Sequence, residues 1–278
     1  MAFSYIFLFL LVVSCFTSGS RITLLLFCGI AVFIAWFEDL IEVKGVIAVV
    51  IFYSLNHLYF RKNSDNKYLK AILLLLILGM TAGFVLHMIP GFNKMLVFDR
   101  VTKSVISAPF TMYINVDKII AALILFLHSD LFDKNQSLDK RSFLIVLQLL
   151  ILCSSILMLA GLLTGYIKFD FKIPQILFVW SLNNLLFVSF SEEVIFRGVI
   201  QRKLASRFQN QYISLILASM IFGLMHFKGG IIYILLSTIA GLFYGLSYQR
   251  TGKISAAIMV HFGFNLIHLI FFTYPKAI

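Results

Sequence analysis

The chain has 278 residues, of which 61% are hydrophobic and only 13% charged. A soluble domain carries roughly 45–50% apolar and about 25% charged residues, so this composition excludes a water-soluble globular protein and indicates an integral membrane protein. The net charge of +11 does not indicate nucleic acid binding, because the basic residues are scattered through short loops and form no aromatic-interleaved patch.

Apolar runs between polar punctuation predict helices near 3–18, 21–37, 45–60, 69–89, 112–128, 142–165, 174–203, 212–227, 230–249 and 254–274. The expected fold is therefore all-α, a polytopic transmembrane bundle of about 8–10 membrane helices, since helices satisfy their own backbone groups inside lipid. A β-barrel would need recurring alternating segments of about ten residues, which the chain lacks. The run from Phe3 to Phe16 resembles a signal-peptide core, but no basic residue precedes it and Arg21 follows it, so it reads as a first membrane helix. Between Pro90 and Asn115 the pattern is broken by Pro90-Gly91, Asp99-Arg100 and Pro109, which predicts a re-entrant or surface loop. Cys15, Cys28 and Cys153 lie inside apolar runs without metal or disulfide spacing and read as small buried apolar residues. His57, His87 and His128 end their helices and read as interfacial.

Under simple alternation four loops fall on one side: 61–70 (Arg61, Lys62, Lys67, Lys70), 129–141 (Lys134, Lys140, Arg141), 201–211 (Arg202, Lys203, Arg207) and 250–253 (Arg250, Lys253). The positive-inside rule makes that side cytoplasmic and, with ten helices, turns both termini outward. No repeat or long linker separates soluble modules, but the ionisable residues within predicted helices concentrate late in the chain. Residues 1–173 read as a transmembrane scaffold and 174–278 as a catalytic half.

That half carries Glu192 and Glu193 in the run Ser191-Glu-Glu-Val-Ile-Phe-Arg-Gly-Val-Ile200. An ionised carboxylate at membrane depth costs several kcal/mol unless paired or wetted, so two in succession indicate a site. On a helix Glu193 and Arg197 are i and i+4 and share a face, while Glu192 is turned about 100° away and is the freer carboxylate. His226 ends a later apolar run, and His261 and Asn265 are again i and i+4 within the last. Gly198, Gly223 and Gly263 flank these groups and would let the helices approach closely. The set suits peptide hydrolysis by water. Glu192 with His226 could act as general base and acid, while His261 and Asn265 could donate to an oxyanion. Arg197 would hold Glu193 and compensate its charge.

Three motifs, Glu192-Glu193-x-x-x-Arg197, Phe222-x-x-x-His226 and His261-x-x-x-Asn265, occur in this order on successive helices. They resemble the signatures of the CAAX-protease and bacteriocin-processing superfamily, which contains the type II CAAX prenyl proteases. The resemblance covers about the last 105 residues. It implies an intramembrane glutamic endopeptidase of a multi-pass membrane protein, expected in a bacterial plasma membrane. Glu192 and His226 would position the water and His261 and Asn265 stabilise the oxyanion, with Glu193 and Arg197 in support. The implied partners are the lipid bilayer and a peptide or membrane-protein substrate, a lipid-modified tail being one form of it. Nucleic acid is not implied, and neither is a cofactor.

Three other readings are carried. A zinc protease could use Glu192, His226 and His261 as ligands, although the sequence has no His-Glu-x-x-His. A proton-coupled transporter would use intramembrane Glu and His as a relay, although no inverted repeat is present. A non-catalytic scaffold or immunity protein would keep the same residues for packing. Asn183 and Asn184, two turns before the glutamates, read as packing groups, and His268 as a structural or access-path residue.

Overall fold

The computed structural model describes residues 3–17, 20–60, 66–132 and 136–278. Arg61, Lys62 and Lys134, on which the positive-inside reading draws, lie outside the described residues.

The fold is an all-α helical bundle with one small sheet. Ten helices run through the described residues: α1 (Phe3–Thr17), α2 (Arg21–Phe37), α3 (Val43–Phe60), α4 (Lys67–Val85), α5 (Val116–His128), α6 (Lys140–Leu163), α7 (177–208), α8 (Gln211–Leu224), α9 (Ile231–Thr251) and α10 (Ile254–Phe271). Strands β1 (Met95–Val101) and β2 (Phe110–Ile114) form a two-stranded sheet. Helices α3, α4, α6, α9 and α10 are long and apolar enough to cross a membrane, while α1, α2 and α8 are shorter apolar helices.

The chain forms two compact units, one of Met1–Leu96 with Tyr113–Lys134 and the other of Val97–Met112 with Asn135–Ile278. The second unit includes α6 and the end of the β hairpin together with the C-terminal helices.

In the first unit α5 is the core. Every residue from Ile119 to His128 is buried, as expected of a helix that is apolar all round. This corrects the expected helix at 112–128. The β-branched and aromatic stretch Phe-Thr-Met-Tyr-Ile pairs as β2 instead, and only 13 residues remain helical. The loop expected between Pro90 and Asn115 is thus largely this hairpin. Glu38 caps the start of α1, accepting from the Phe3 and Ser4 amides at 2.6 and 3.0 Å and from the Ser4 hydroxyl at 2.6 Å.

In the second unit α6, α7, α8, α9 and α10 pack together. Asp139 and Asn210 cap α6 and α8 through their side chains, and Gln209 ends α7 in the left-handed region at φ 51°. Gly223 sets the contact of α8 with α9. A Cβ there would overlap Thr238 Oγ1 and lie 2.7 Å from the Ile234 carbonyl oxygen. Gly263 likewise admits Leu150 of α6, 2.9 Å from where its Cβ would stand. At 14 residues α8 spans only about 21 Å, short of the ~30 Å hydrocarbon core.

Helix α7 is continuous but not uniform. Leu177–Asn183, Phe190–Glu193 and Arg202–Phe208 are α-helical, whereas Asn184–Ser189 and Val194–Gln201 are π-helical. Such turns are rare and concentrate at functional sites. Here they flank the two glutamates on both sides.

One end of this unit is tied by the tail after α10. Thr273 and Ala277 amides bond to the Lys168 and Tyr166 carbonyls, and the Ala108 amide bonds to the Lys276 carbonyl. Asp170 accepts from Lys172 Nζ at 2.8 Å, from Ser104 Oγ at 2.5 Å and from Ser107 Oγ at 3.1 Å. Met112, Ile176, Trp180 and Leu269 form a buried apolar cluster beneath, with Val97, Phe98 and Phe110 packed against it.

Candidate active site

Four of the sequence-predicted residues meet directly. Glu193 is buried with no side-chain exposure; its Oε2 lies 2.9 Å from Arg197 Nε and its Oε1 2.8 Å from His261 Nδ1. His261 Nε2 stands 4.0 Å from Glu192 Oε2. One imidazole is therefore placed between two consecutive carboxylates. Glu192 keeps 13% of its side chain exposed against none for Glu193.

The Arg197 guanidinium is fully buried, and its two terminal nitrogens have no hydrogen-bond partner. Its contact with Glu193 is close but not aligned as a hydrogen bond, so the attraction is one of charge. Aromatic faces supply the remainder. The guanidinium carbon lies 5.0 Å from the Phe222 ring, 5.8 Å from Tyr244 and 6.0 Å from Phe196, within cation–π range. Since the pair is desolvated, each charge depends on the other.

Asn265 donates from Nδ2 to Asn184 Oδ1 at 3.2 Å, and Ser189 Oγ reaches the same oxygen at 3.4 Å. An amide nitrogen carries two protons, so this bond orients Asn265 and leaves its second proton for another acceptor. Asn184 was read as a packing residue from sequence. Its bond to the third motif is a contact that the sequence pattern did not disclose.

His226 lies in the turn after α8 and donates Nδ1–H to the Phe222 carbonyl at 2.8 Å, which leaves Nε2 as its outward nitrogen. Its ring lies 4.7 Å from Phe222 and 5.4 Å from Tyr233. Glu192 is within electrostatic range of Tyr233. Phe222 also meets His261, edge to face at 6.0 Å, so the two histidines flank one ring. Tyr244 stacks on His261 at 4.4 Å with the planes 11° apart. Sequence reasoning missed Tyr244 and Tyr233, because an aromatic at helical spacing looks like any core residue. His268, read as a structural or access-path residue, bonds the Thr273 carbonyl at 3.0 Å, and the three cysteines are free and buried.

Residues 174–267 match the family described as Type II CAAX prenyl endopeptidase Rce1-like. No curated protein and no solved structure matches the chain. The Rce1-like stretch bears out the resemblance read from the three motifs for this part of the chain and supports a CAAX-type protease. It begins just before α7, contains Glu192, Glu193, Arg197, His226, His261 and Asn265, and ends within α10.

Proposed function

We propose that this protein is an intramembrane endopeptidase of the bacterial plasma membrane, hydrolysing a peptide bond of a peptide or membrane-protein substrate, a lipid-modified tail being one form of it. Residues 174–278 carry the catalysis and 1–173 the scaffold. The observation that carries the reading is His261 between Glu193 and Glu192, with its two nitrogens addressed to different carboxylates.

Glu193 accepts the Nδ1 proton and fixes the ring, so that Nε2 is the nitrogen facing Glu192. A water touching both Nε2 and Glu192 fits the 4.0 Å separation, since each leg of such a bridge is about 2.8 Å. Glu192 takes the proton of that water as it attacks the scissile carbonyl and returns it to the leaving amine, with His226 as its partner in the transfer. Asn265, one turn after His261 on α10, donates to the oxygen of the tetrahedral intermediate, and His261 joins it through Nε2 in the form that carries a proton on both ring nitrogens. Arg197 compensates the charge of Glu193, the acceptor that holds His261. The substrate is extended where it is cut, because the hydrogen bonds of a helix would cover its peptide groups.

The deciding experiment is a peptidase assay in reconstituted membranes comparing the wild type with Glu192→Gln, with and without a chelator. Loss of about a hundredfold or more, the low end of a general-base contribution, with no effect of chelation supports the reading. Full turnover by a folded Glu192→Gln protein would sink it, and loss of activity on chelation would favour the zinc reading.

A further inference from the structure

The first unit holds a second feature that the proposed catalysis does not use. Helices α2 and α3 both pack against α5 and hardly touch each other. Between them runs an apolar groove of about 610 Å³, lined among others by Ile22, Gly29, Trp36, Val50 and Tyr53, with Ile124 of α5 as floor. Pockets that take small ligands have volumes of roughly 300–1,000 Å³. From Ile22 to Trp36 the groove follows α2 for about 21 Å, longer than the ~15 Å depth of one leaflet's hydrocarbon. A Cβ built on Gly29 meets nothing within 4 Å, so this glycine faces the open groove.

The groove ends at a polar mouth. Arg21 begins α2, His57 lies in the last turn of α3 and His128 ends α5. Arg21 and His57 are both within electrostatic range of His128. The His128 ring lies 4.9 Å from Tyr53, itself a lining residue, and 6.2 Å from His57. His128 Nδ1 donates to the carbonyl of Ile124, the floor residue, at 2.9 Å. That bond makes Nε2 the acceptor nitrogen of the neutral ring, yet Nε2 is buried without a partner. Such an orphan costs free energy unless something donates to it.

We propose that this groove binds a single anionic glycerophospholipid whose headgroup carries hydroxyls. One acyl chain lies along α2, the phosphate faces Arg21 and His57, and a headgroup hydroxyl donates to His128 Nε2. Charge selects the phosphate, and the orphaned acceptor selects the hydroxyl. Ordinary boundary lipid offers no reason for either preference. The site does not depend on the protease reading, since it lies wholly in the other unit.

Trp36 at the far end of the groove is a built-in reporter. The full chain is reconstituted in phosphatidylcholine vesicles carrying a minor fraction of either brominated phosphatidylglycerol or brominated phosphatidylcholine, and Trp36 quenching is read against a Trp36→Phe control. The expected result is a roughly fivefold preference for phosphatidylglycerol, the factor of one unit charge at a membrane surface. Arg21→Gln should abolish the preference, as should Gly29→Phe, which fills the groove without touching the mouth. Equal quenching by the two lipids in the wild type overturns the proposal, as does a preference that survives in Gly29→Phe.

Discussion

Glu193 of α7 and His261 of α10, sixty-eight residues apart, are joined by a 2.8 Å bond inside the buried part of the site. The same carboxylate also faces Arg197 at 2.9 Å. Glu193 is thus a structural counter-charge and an orienting acceptor at once. Removing it should harm folding as well as chemistry, whereas removing Glu192 should harm chemistry alone.

Glu193→Gln leaves the buried Arg197 charge without its partner and is expected to lower stability by about 3–5 kcal/mol. The pair Glu193→Gln with Arg197→Met removes both charges and should recover most of that loss while activity stays low. Thermal unfolding in detergent together with the peptidase assay separates the two effects. A double variant no more stable than Glu193→Gln would mean that the aromatic faces, not Glu193, hold the guanidinium.

Asn184→Ala should cost activity about ten- to a hundredfold while the protein stays folded, because Asn265 loses the acceptor that orients it. The loss is expected in kcat more than in KM, since positioning of the oxyanion donors acts in the transition state. Asn183→Ala, whose side chain donates to the Met112 sulfur at 3.6 Å, serves as control and should leave kcat near the wild-type value.

Gly223→Ala should push α8 away from α9 and destabilise by about 1–3 kcal/mol, the usual range for overpacking. Adding Thr238→Ala removes the overlap with the hydroxyl but not the 2.7 Å approach to the Ile234 carbonyl. Recovery should therefore be partial when unfolding temperatures are compared. Full recovery would show that the backbone approach is not limiting.

Asp170 lies between α6 and α7, outside the membrane-spanning helices. Burial pushes its carboxyl up, but the hydrogen bonds from Lys172 and Ser104, the Lys172 charge and the Ser107 hydroxyl outweigh it and hold the group below its usual value of 3.8. A carboxyl lowered in the folded state contributes stability above its unfolded pKa and loses it as pH falls through the folded one. Unfolding temperatures should thus fall below about pH 4, and Asp170→Asn should flatten that decline while lowering stability near neutrality. An unchanged acid profile in Asp170→Asn would assign the decline to other carboxylates.

Most helices were legible because lipid leaves the backbone few alternatives, so apolar runs between polar loops became helices within a few residues of the expected bounds. The run at 112–128 misled because Phe110–Ile114 suits a strand as well as a helix, and only its pairing with β1 decides. Within the site, pairs spaced by four residues on one helix were readable, as with Glu193 and Arg197. The link between Asn184 and Asn265 was not. On a regular α-helix Asn184 and Glu193, nine residues apart, lie about 180° from each other. In the structure both bond the same face of α10, at Asn265 and His261. The π-helical turn at Asn184–Ser189 supplies that change of phase, and no residue pattern announces it. The stack of Tyr244 on His261 was hidden for a different reason, since ring contacts across helices leave no spacing signature.

The brevity of α8 bears on how water reaches a peptide bond inside a bilayer. A 14-residue helix cannot match the hydrocarbon thickness around it, and such mismatch is relieved by local thinning of the membrane or by tilt. His226 sits in the turn at the end of that helix. Under the proposed function, a deficit of roughly 9 Å against a ~30 Å core would thin the membrane beside Glu192 and His261. The proposed hydrolysis would then need no dedicated channel for water, because the aqueous boundary itself would dip toward the site.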